Sequence, residues 1–186
     1  MDPLLELTVA GSLAVLFAAS TVHKLTALDE WPGVVRNYRV LPASLALPAA
    51  GVLLLAGALT AALLLWPSPR RLGACAAAVQ LILFAAAMAI NLRRGRSRID
   101  CGCFGSRLRQ GLSAWMAVRN LALALLALSL LLPVKPRELG VLDIATAVAV
   151  VATLSFLYLV LDVVLRPPTA TFAENFEAAA AARQAH

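Results

Sequence analysis

Charge is scarce in this chain. Only 14% of its 186 residues are Asp, Glu, Lys or Arg, which excludes an ordinary water-soluble domain, where the share is about 25%. Cysteine and histidine are scarcer still, at three and two. A structural zinc site takes four ligands, so a metal centre would have to add His23, His186 or Cys75 to the thiols of Cys101 and Cys103; no metal site is assigned. No segment alternates apolar and polar residues with period two, which excludes barrel strands. No basic stretch precedes the first apolar run, where Asp2 and Glu6 stand instead, so that run is expected to be an uncleaved span rather than a signal peptide.

What the chain has in abundance is hydrophobic length, 61% of residues, gathered into five runs at roughly 4–25, 43–66, 72–92, 112–132 and 139–165. Each is close to the ~20 residues that cross a bilayer as a helix. Backbone polar groups in lipid must be bonded within the segment, so the expected fold is all-α, a polytopic transmembrane bundle with a four-helix core and a fifth C-terminal span. Small residues such as Gly51 and Gly57 suit close helix approach. The expected organisation is a four-span membrane domain over 1–135, an additional helix over 136–168 and a short polar tail over 169–186, in which Thr171 and Glu174 have capping-box spacing.

Two connections are tight and two are long. Pro67-Ser68-Pro69 and the stretch from Pro133 to Arg137 predict packed antiparallel hairpins, with proline as the stop signal. The stretches at about 26–42 and 93–111 are long loops, and with five spans both fall on one face together with the C-terminus. The net charge of +6 does not require nucleic acid, because membrane proteins collect basic residues on one side. Arg70, Arg71, Lys135 and Arg137 belong to the hairpin face, leaving twelve of the sixteen Lys and Arg for the long-loop face. By that split the protein is a multi-pass plasma-membrane protein with its N-terminus outside and its long loops cytoplasmic.

The second long loop contains Asp100-Cys101-Gly102-Cys103-Phe104-Gly105. Two thiols one residue apart reach bonding distance only if the chain folds back, which Gly102 permits, and a disulfide in so small a ring is strained and readily reduced. Arg94, Arg96, Arg98 and Arg107 favour a thiolate, while Asp100 opposes it. The alternatives are two ordinary small loop residues or half of a metal site. Cys75, near the hairpin-side end of the third run, reads as a small packing residue.

Polar residues distant in sequence fall at the same membrane face: His23 and Lys24, Asn37 and Tyr38, Asn91, Arg119 and Asn120, and Asp162. Polar groups at membrane depth are functional candidates. His23 is the candidate proton carrier, since imidazole titrates near neutrality. Lys24 and Arg119 have snorkelling to the headgroups as a competing account, Asp162 an i,i+4 pair with Arg166, and the two asparagines a role in bonding helices together.

His23-Lys24-Leu25, Asn37-Tyr38-Arg39-Val40-Leu41-Pro42, Arg94-Gly95-Arg96, the Cys-Gly-Cys-Phe-Gly segment and Arg119-Asn120, in that order over roughly residues 5–132, resemble the MauE family, named for methylamine utilisation and grouped with DoxX-like redox-associated membrane proteins. The resemblance implies an integral membrane protein that works with a thioredoxin-like partner in thiol–disulfide chemistry, supporting maturation of other proteins, with Cys101 and Cys103 as the redox pair. Pro48 is followed by Ala49 and Ala50 where a glutamate is expected from the family pattern.

The expected function is therefore a thiol–disulfide relay through Cys101 and Cys103, with His23 moving protons. Asp100, Gly102, Phe104, Lys24, Tyr38, Arg94, Arg96, Arg119 and Asn120 are its supporting residues. The alternative is a non-catalytic assembly or chaperone subunit whose cysteines are structural or bind metal. A quinone is an open cofactor, with Phe104 and Trp115 as the aromatic rings to stack on it, although tryptophan at a membrane interface has its own reason to be there. The charge split puts the cysteines on the reducing side, whereas maturation of exported disulfides calls for the outer face. Either the protein draws electrons from the cytosol or the arginines belong to the site rather than to topology.

Overall fold

The computed structural model describes residues 1–96, 112–135 and 137–164, and of residues 159 and 161–164 the backbone alone. The described residues form helices and no strands: α1 (Pro3–Thr26), α2 (Trp31–Asn37), a 3-10 turn (Ala43–Leu45), α3 (Ala46–Leu65), α4 (Arg70–Arg93), α5 (Ala114–Ser129) and α6 (Val141–Val164). The protein is an all-helical membrane bundle. Four of these helical segments are long and apolar enough to cross a bilayer, while α5 has 16 residues, short of that length. Even so, α5 joins the two ends of the bundle: Met116, in its first turn, packs with Met88 near the end of α4, and Pro133, just beyond it, accepts a hydrogen bond from the Met1 ammonium.

Helix ends follow local chemistry. Asp2 caps α1, its Oδ1 accepting from the Leu4 N–H at 2.8 Å, and Pro3 fills the first helical position, where no N–H partner is needed. At the other end of the chain Asp143 reaches back to the Gly140 N–H at 3.0 Å, the acidic half of a capping box on α6. The close of α4 is a Schellman turn: the Arg96 N–H bonds the Asn91 carbonyl, the Gly95 N–H bonds the Leu92 carbonyl, and Gly95 has φ +70, which glycine adopts without steric penalty.

The core is an alanine-rich seam among α1, α3, α4 and α5, with Leu13, Leu64 and Leu81 filling the gaps. Small residues set the helix distances. A Cβ on Gly73 would stand 2.9 Å from the backbone of Leu63 and Leu64, so glycine there lets α3 and α4 touch. Gly57 stands opposite the Thr21 hydroxyl of α1 and likewise sits at a crossing, whereas nothing approaches Gly51, which faces outward. Mid-span, Gln80 on α4 donates to the Thr60 hydroxyl of α3 at 2.6 Å, a polar bond between helices where lipid offers no substitute.

Three expectations are corrected. The loop at 26–42 contains α2, seated on α3 by a bond from the Trp31 indole Nε1 to the Ala50 carbonyl at 2.9 Å. The Pro133 to Arg137 connection does not make a packed hairpin: 133–135 and 137–140 are not helical, and α6 leans on α1, with Val151 opposite Gly11, instead of on α5. Cys75 is exposed on α4 rather than packed, since the buried face of that helix is taken by Ala74, Ala77, Ala78 and Leu81. The expected pair of Asp162 with Arg166, and the tail with Thr171 and Glu174, lie outside the described residues or side chains.

Candidate functional site at the long-loop face

Short connections on one side and long ones on the other place the ends of α1 and α4, the starts of α3 and α5, and all of α2 at one face. Lys24 is the central charge there. It stands in the last turn of α1, where a cation also meets the negative end of the helix dipole, yet it is 7% exposed. A snorkelling lysine would be solvated. Instead its Nζ donates to the Ser20 hydroxyl at 2.9 Å and lies 4.9 Å from the ring centre of Trp31 and 5.5 Å from that of Phe84. Two electron-rich faces compensate a buried ammonium for part of its lost hydration. The cage is built from three helices: α1 supplies the cation, α2 the indole and α4 the phenyl ring.

Arg119 forms a second station of the same kind. Its guanidinium lies 5.2 Å from the ring centre of Tyr158, linking α5 to α6. The two asparagines stand near the end of α4 and in the second turn of α5. Asn120, 4% exposed, donates from Nδ2 to Met88 Sδ at 3.6 Å and so bridges α5 and α4, as expected of a residue that bonds helices together. Asn91 is fully buried; its Nδ2 donates to the Ala87 carbonyl at 2.9 Å within its own helix, and its Oδ1 has no hydrogen-bond partner among the described residues.

The remaining predicted residues lie at the rim. His23 is exposed beside Lys24, and Tyr38 packs against the small cluster of Met88, Leu112 and Met116. Arg94 donates from Nη1 to the Arg39 carbonyl at 3.1 Å, which ties the first long loop to the end of α4 at a residue with positive φ, 46°. Arg96 is half-buried and held by the Schellman turn. Trp115 is largely exposed on the first turn of α5. Ser20, His23, Lys24, Tyr38, Arg119 and Tyr158 each make a further polar, ionic or ring interaction, so none of them is an idle group. Asp100, Cys101, Gly102, Cys103 and Phe104 lie outside the described residues.

The structure thus brings Lys24, Tyr38, Arg94, Arg119 and Asn120 to one end of the bundle. It adds Ser20, Trp31, Phe84 and Tyr158, which sequence reasoning missed. Of these only Ser20 carried a local signal, four residues before Lys24 on the same helix face. Among the described residues no group of three or more His, Cys, Asp or Glu is placed to hold a metal ion.

Comparison with known proteins gives a consistent picture. The family model described as Methylamine utilisation protein MauE matches residues 2–133, ending before α6. The chain is 40% identical over 159 residues to the methylamine utilization protein MauE of Paracoccus versutus, covering 84% of this chain and 85% of that protein. To its counterpart in Methylophilus methylotrophus it is 36% identical over 170 residues, covering 90% and 89%. To that of Paracoccus denitrificans it is 46% identical over 118 residues, 63% of each chain. No solved structure matches the chain.

Proposed function

The chain belongs to the MauE family, and on that premise we propose that it is a membrane protein of methylamine utilisation whose Cys101 and Cys103 exchange thiol and disulfide with a thioredoxin-like partner, supporting maturation of another protein. The observation that carries this reading is the gathering of cationic and polar groups from α1, α4 and α5 at the end of the bundle where the cysteine segment leaves and rejoins it. Arg96 and Leu112, the described residues on either side of that segment, both belong to this end. Cys101 is five residues beyond Arg96, so covalent geometry keeps its α-carbon within about 18 Å of that of Arg96.

The proposed chemistry uses these groups in defined ways. One thiolate of the pair attacks a disulfide sulfur of the partner, forming a mixed disulfide and expelling a partner thiolate. The second cysteine then attacks the mixed disulfide, closing the Cys101–Cys103 bond and releasing the partner with both its sulfurs reduced. Two electrons pass from the pair to the partner, and the protons given up by Cys101 and Cys103 are taken up by the two partner thiolates, so exchange needs proton transfer but releases none overall. Lys24, Arg94 and Arg119 supply positive potential that favours thiolate over thiol, and His23, exposed at the end of α1, is placed to take a proton. By the charge split we place this face in the cytoplasm, where the reduced pool is the source of electrons.

Trapping tests the relay. In cells grown on methylamine, Cys103→Ser or Cys101→Ser is expected to accumulate a covalent adduct, visible on a non-reducing gel and lost on reduction. If neither variant traps an adduct and the double variant supports full growth, the cysteines are dispensable and the assembly-subunit reading replaces the relay. Labelling intact cells with a membrane-impermeant thiol reagent, in a Cys75→Ser background, tests the side: protection until permeabilisation is expected, and immediate labelling overturns the cytoplasmic placement.

A further inference from the structure

Two arginine-bearing turns meet at one corner of the long-loop face. The end of α2 and the residues after it bring Arg36 and Arg39, and the close of α4 brings Arg93 and Arg94. Arg94 joins the two turns, donating from Nη1 to the Arg39 carbonyl at 3.1 Å and leaving its other N–H groups for a ligand. All four side chains are exposed, none of them is in an ion pair, and no acid stands within either turn among the described residues. Cations gathered in this way repel one another. Arg39 adds a steric cost, since at φ 46° its Cβ is crowded and glycine would not be, so the backbone at this position does not explain an arginine. Both turns lie at the edge of the bilayer: the span Ala43–Leu65 begins four residues after Arg39, and Arg93 is the last residue of the span Arg70–Arg93. On the span side of Arg39 the chain turns aliphatic, with Val40, Leu41 and Leu45 each about half exposed. Cations at headgroup depth beside exposed aliphatic side chains complement an amphiphile with an anionic head and a hydrocarbon tail. A soluble acidic partner would match the cations but not the aliphatic strip at the start of a span.

We propose that this corner binds the headgroup of an anionic phospholipid, with the phosphate among the arginines that close α2 and α4 and an acyl chain along Val40, Leu41 and Leu45. The anion offsets the mutual repulsion of the four cations and fastens the first long loop to the end of α4. The site does not rest on the thiol–disulfide reading. Each cation near the headgroups favours an anionic over a zwitterionic lipid by about fivefold.

The test uses the full chain, purified in detergent, stripped of lipid and titrated with phosphatidylglycerol or with phosphatidylcholine of the same acyl chains, bound lipid being counted by native mass spectrometry. Phosphatidylglycerol should be preferred by at least about fivefold, and added salt should shrink the preference. Arg39→Gly separates the ligand from the fold: it relieves the left-handed strain, so the unfolding midpoint should hold or rise while the preference falls about fivefold. Should that variant fail to fold, Arg93→Gln, exposed at the last residue of α4, tests the same corner with the same expected fall. Arg71→Gln, at an exposed cation of the hairpin face, should leave the preference unchanged. Equal binding of the two lipids by the unaltered protein, an undiminished preference in folded Arg39→Gly or Arg93→Gln, or an equal fall in Arg71→Gln would each overturn the proposal. Displacement of phosphatidylglycerol by a poly-glutamate peptide at equal total charge would also overturn it, assigning the corner to an acidic protein instead.

Discussion

The two ends of this bundle are held in different ways. At the hairpin end polar groups are paired with one another: the Met1 ammonium with the Pro133 carbonyl, the Lys135 N–H with the Met1 carbonyl, Glu6 with Arg70 at 3.1 Å, and Arg137 with Asp143 at 2.8 Å. At the long-loop end the cations meet rings, Lys24 over Trp31 and Phe84, and Arg119 over Tyr158. At one end opposite charges and backbone groups meet directly; at the other, cations are seated against aromatic faces, with further interactions at Lys24 and Arg119. The first arrangement clips neighbouring segments together, and the second ties helices together through rings that come from elsewhere in the chain.

Substitutions at each end test that contrast. The largest effect is expected from Trp31→Ala, which removes a buried indole, its bond to the Ala50 carbonyl and one wall of the Lys24 cage. Loss of a buried aromatic destabilises by about 3–5 kcal/mol, and the detergent unfolding midpoint should fall together with growth on methylamine. Next comes Gly73→Ala at the hairpin end, where the new methyl would meet backbone 2.9 Å away and force α3 from α4. Overpacking of that kind costs about 1–3 kcal/mol, and here growth should survive wherever the protein still inserts. If Gly73→Ala abolished growth while remaining folded, the division of labour between the ends would be broken.

Lys24→Met sharpens the contrast, because it keeps the packed stem and removes the charge together with its hydrogen bond to Ser20. Its stability change should be about 2 kcal/mol, the scale of a cation–π contact away from water. Adduct formation with the partner should slow by about tenfold, equivalent to about 1.4 kcal/mol, and alkylation of the remaining thiol should need a higher pH. An unchanged alkylation profile would reduce Lys24 to a packing residue. The smallest effect is predicted for Glu6→Gln: its pair with Arg70 is partly exposed, such pairs contribute about 0.2–1 kcal/mol, and salt should shrink the difference further. Growth is the control that should not move.

How much of this was legible in the chain differs from residue to residue. The runs that became α1, α3, α4 and α6 were readable because hydropathy over ~20 residues is a property of contiguous sequence. The faces were readable too, since alternating short and long connections settle which helix ends meet. Helix α2 was not: seven residues, with Pro32 and Gly33 among them, carry too few turns for a period to appear. The choice between snorkelling and burial for Lys24 was undecidable along the chain, because the rings that decide it lie 7 and 60 residues further on. Gly51 and Gly57 looked alike, and only helix rotation distinguishes the one at a crossing from the one facing lipid.

By itself, then, the sequence determined that this is an α-helical membrane protein of the MauE family, with a cysteine pair between its third and fourth apolar runs and its basic residues gathered on that side. Each of those follows from composition, run length or an ordered motif, which need no knowledge of neighbours. Tertiary structure decided that Lys24 is buried under Trp31 and Phe84, that Arg119 pairs with the Tyr158 ring, and that α6 rests on α1 with an apolar groove between itself and α5. Those depend on which face each helix turns toward its neighbours. In helices so uniformly apolar, a hydrophobic pattern does not mark that face; it is settled by where small residues let two backbones touch.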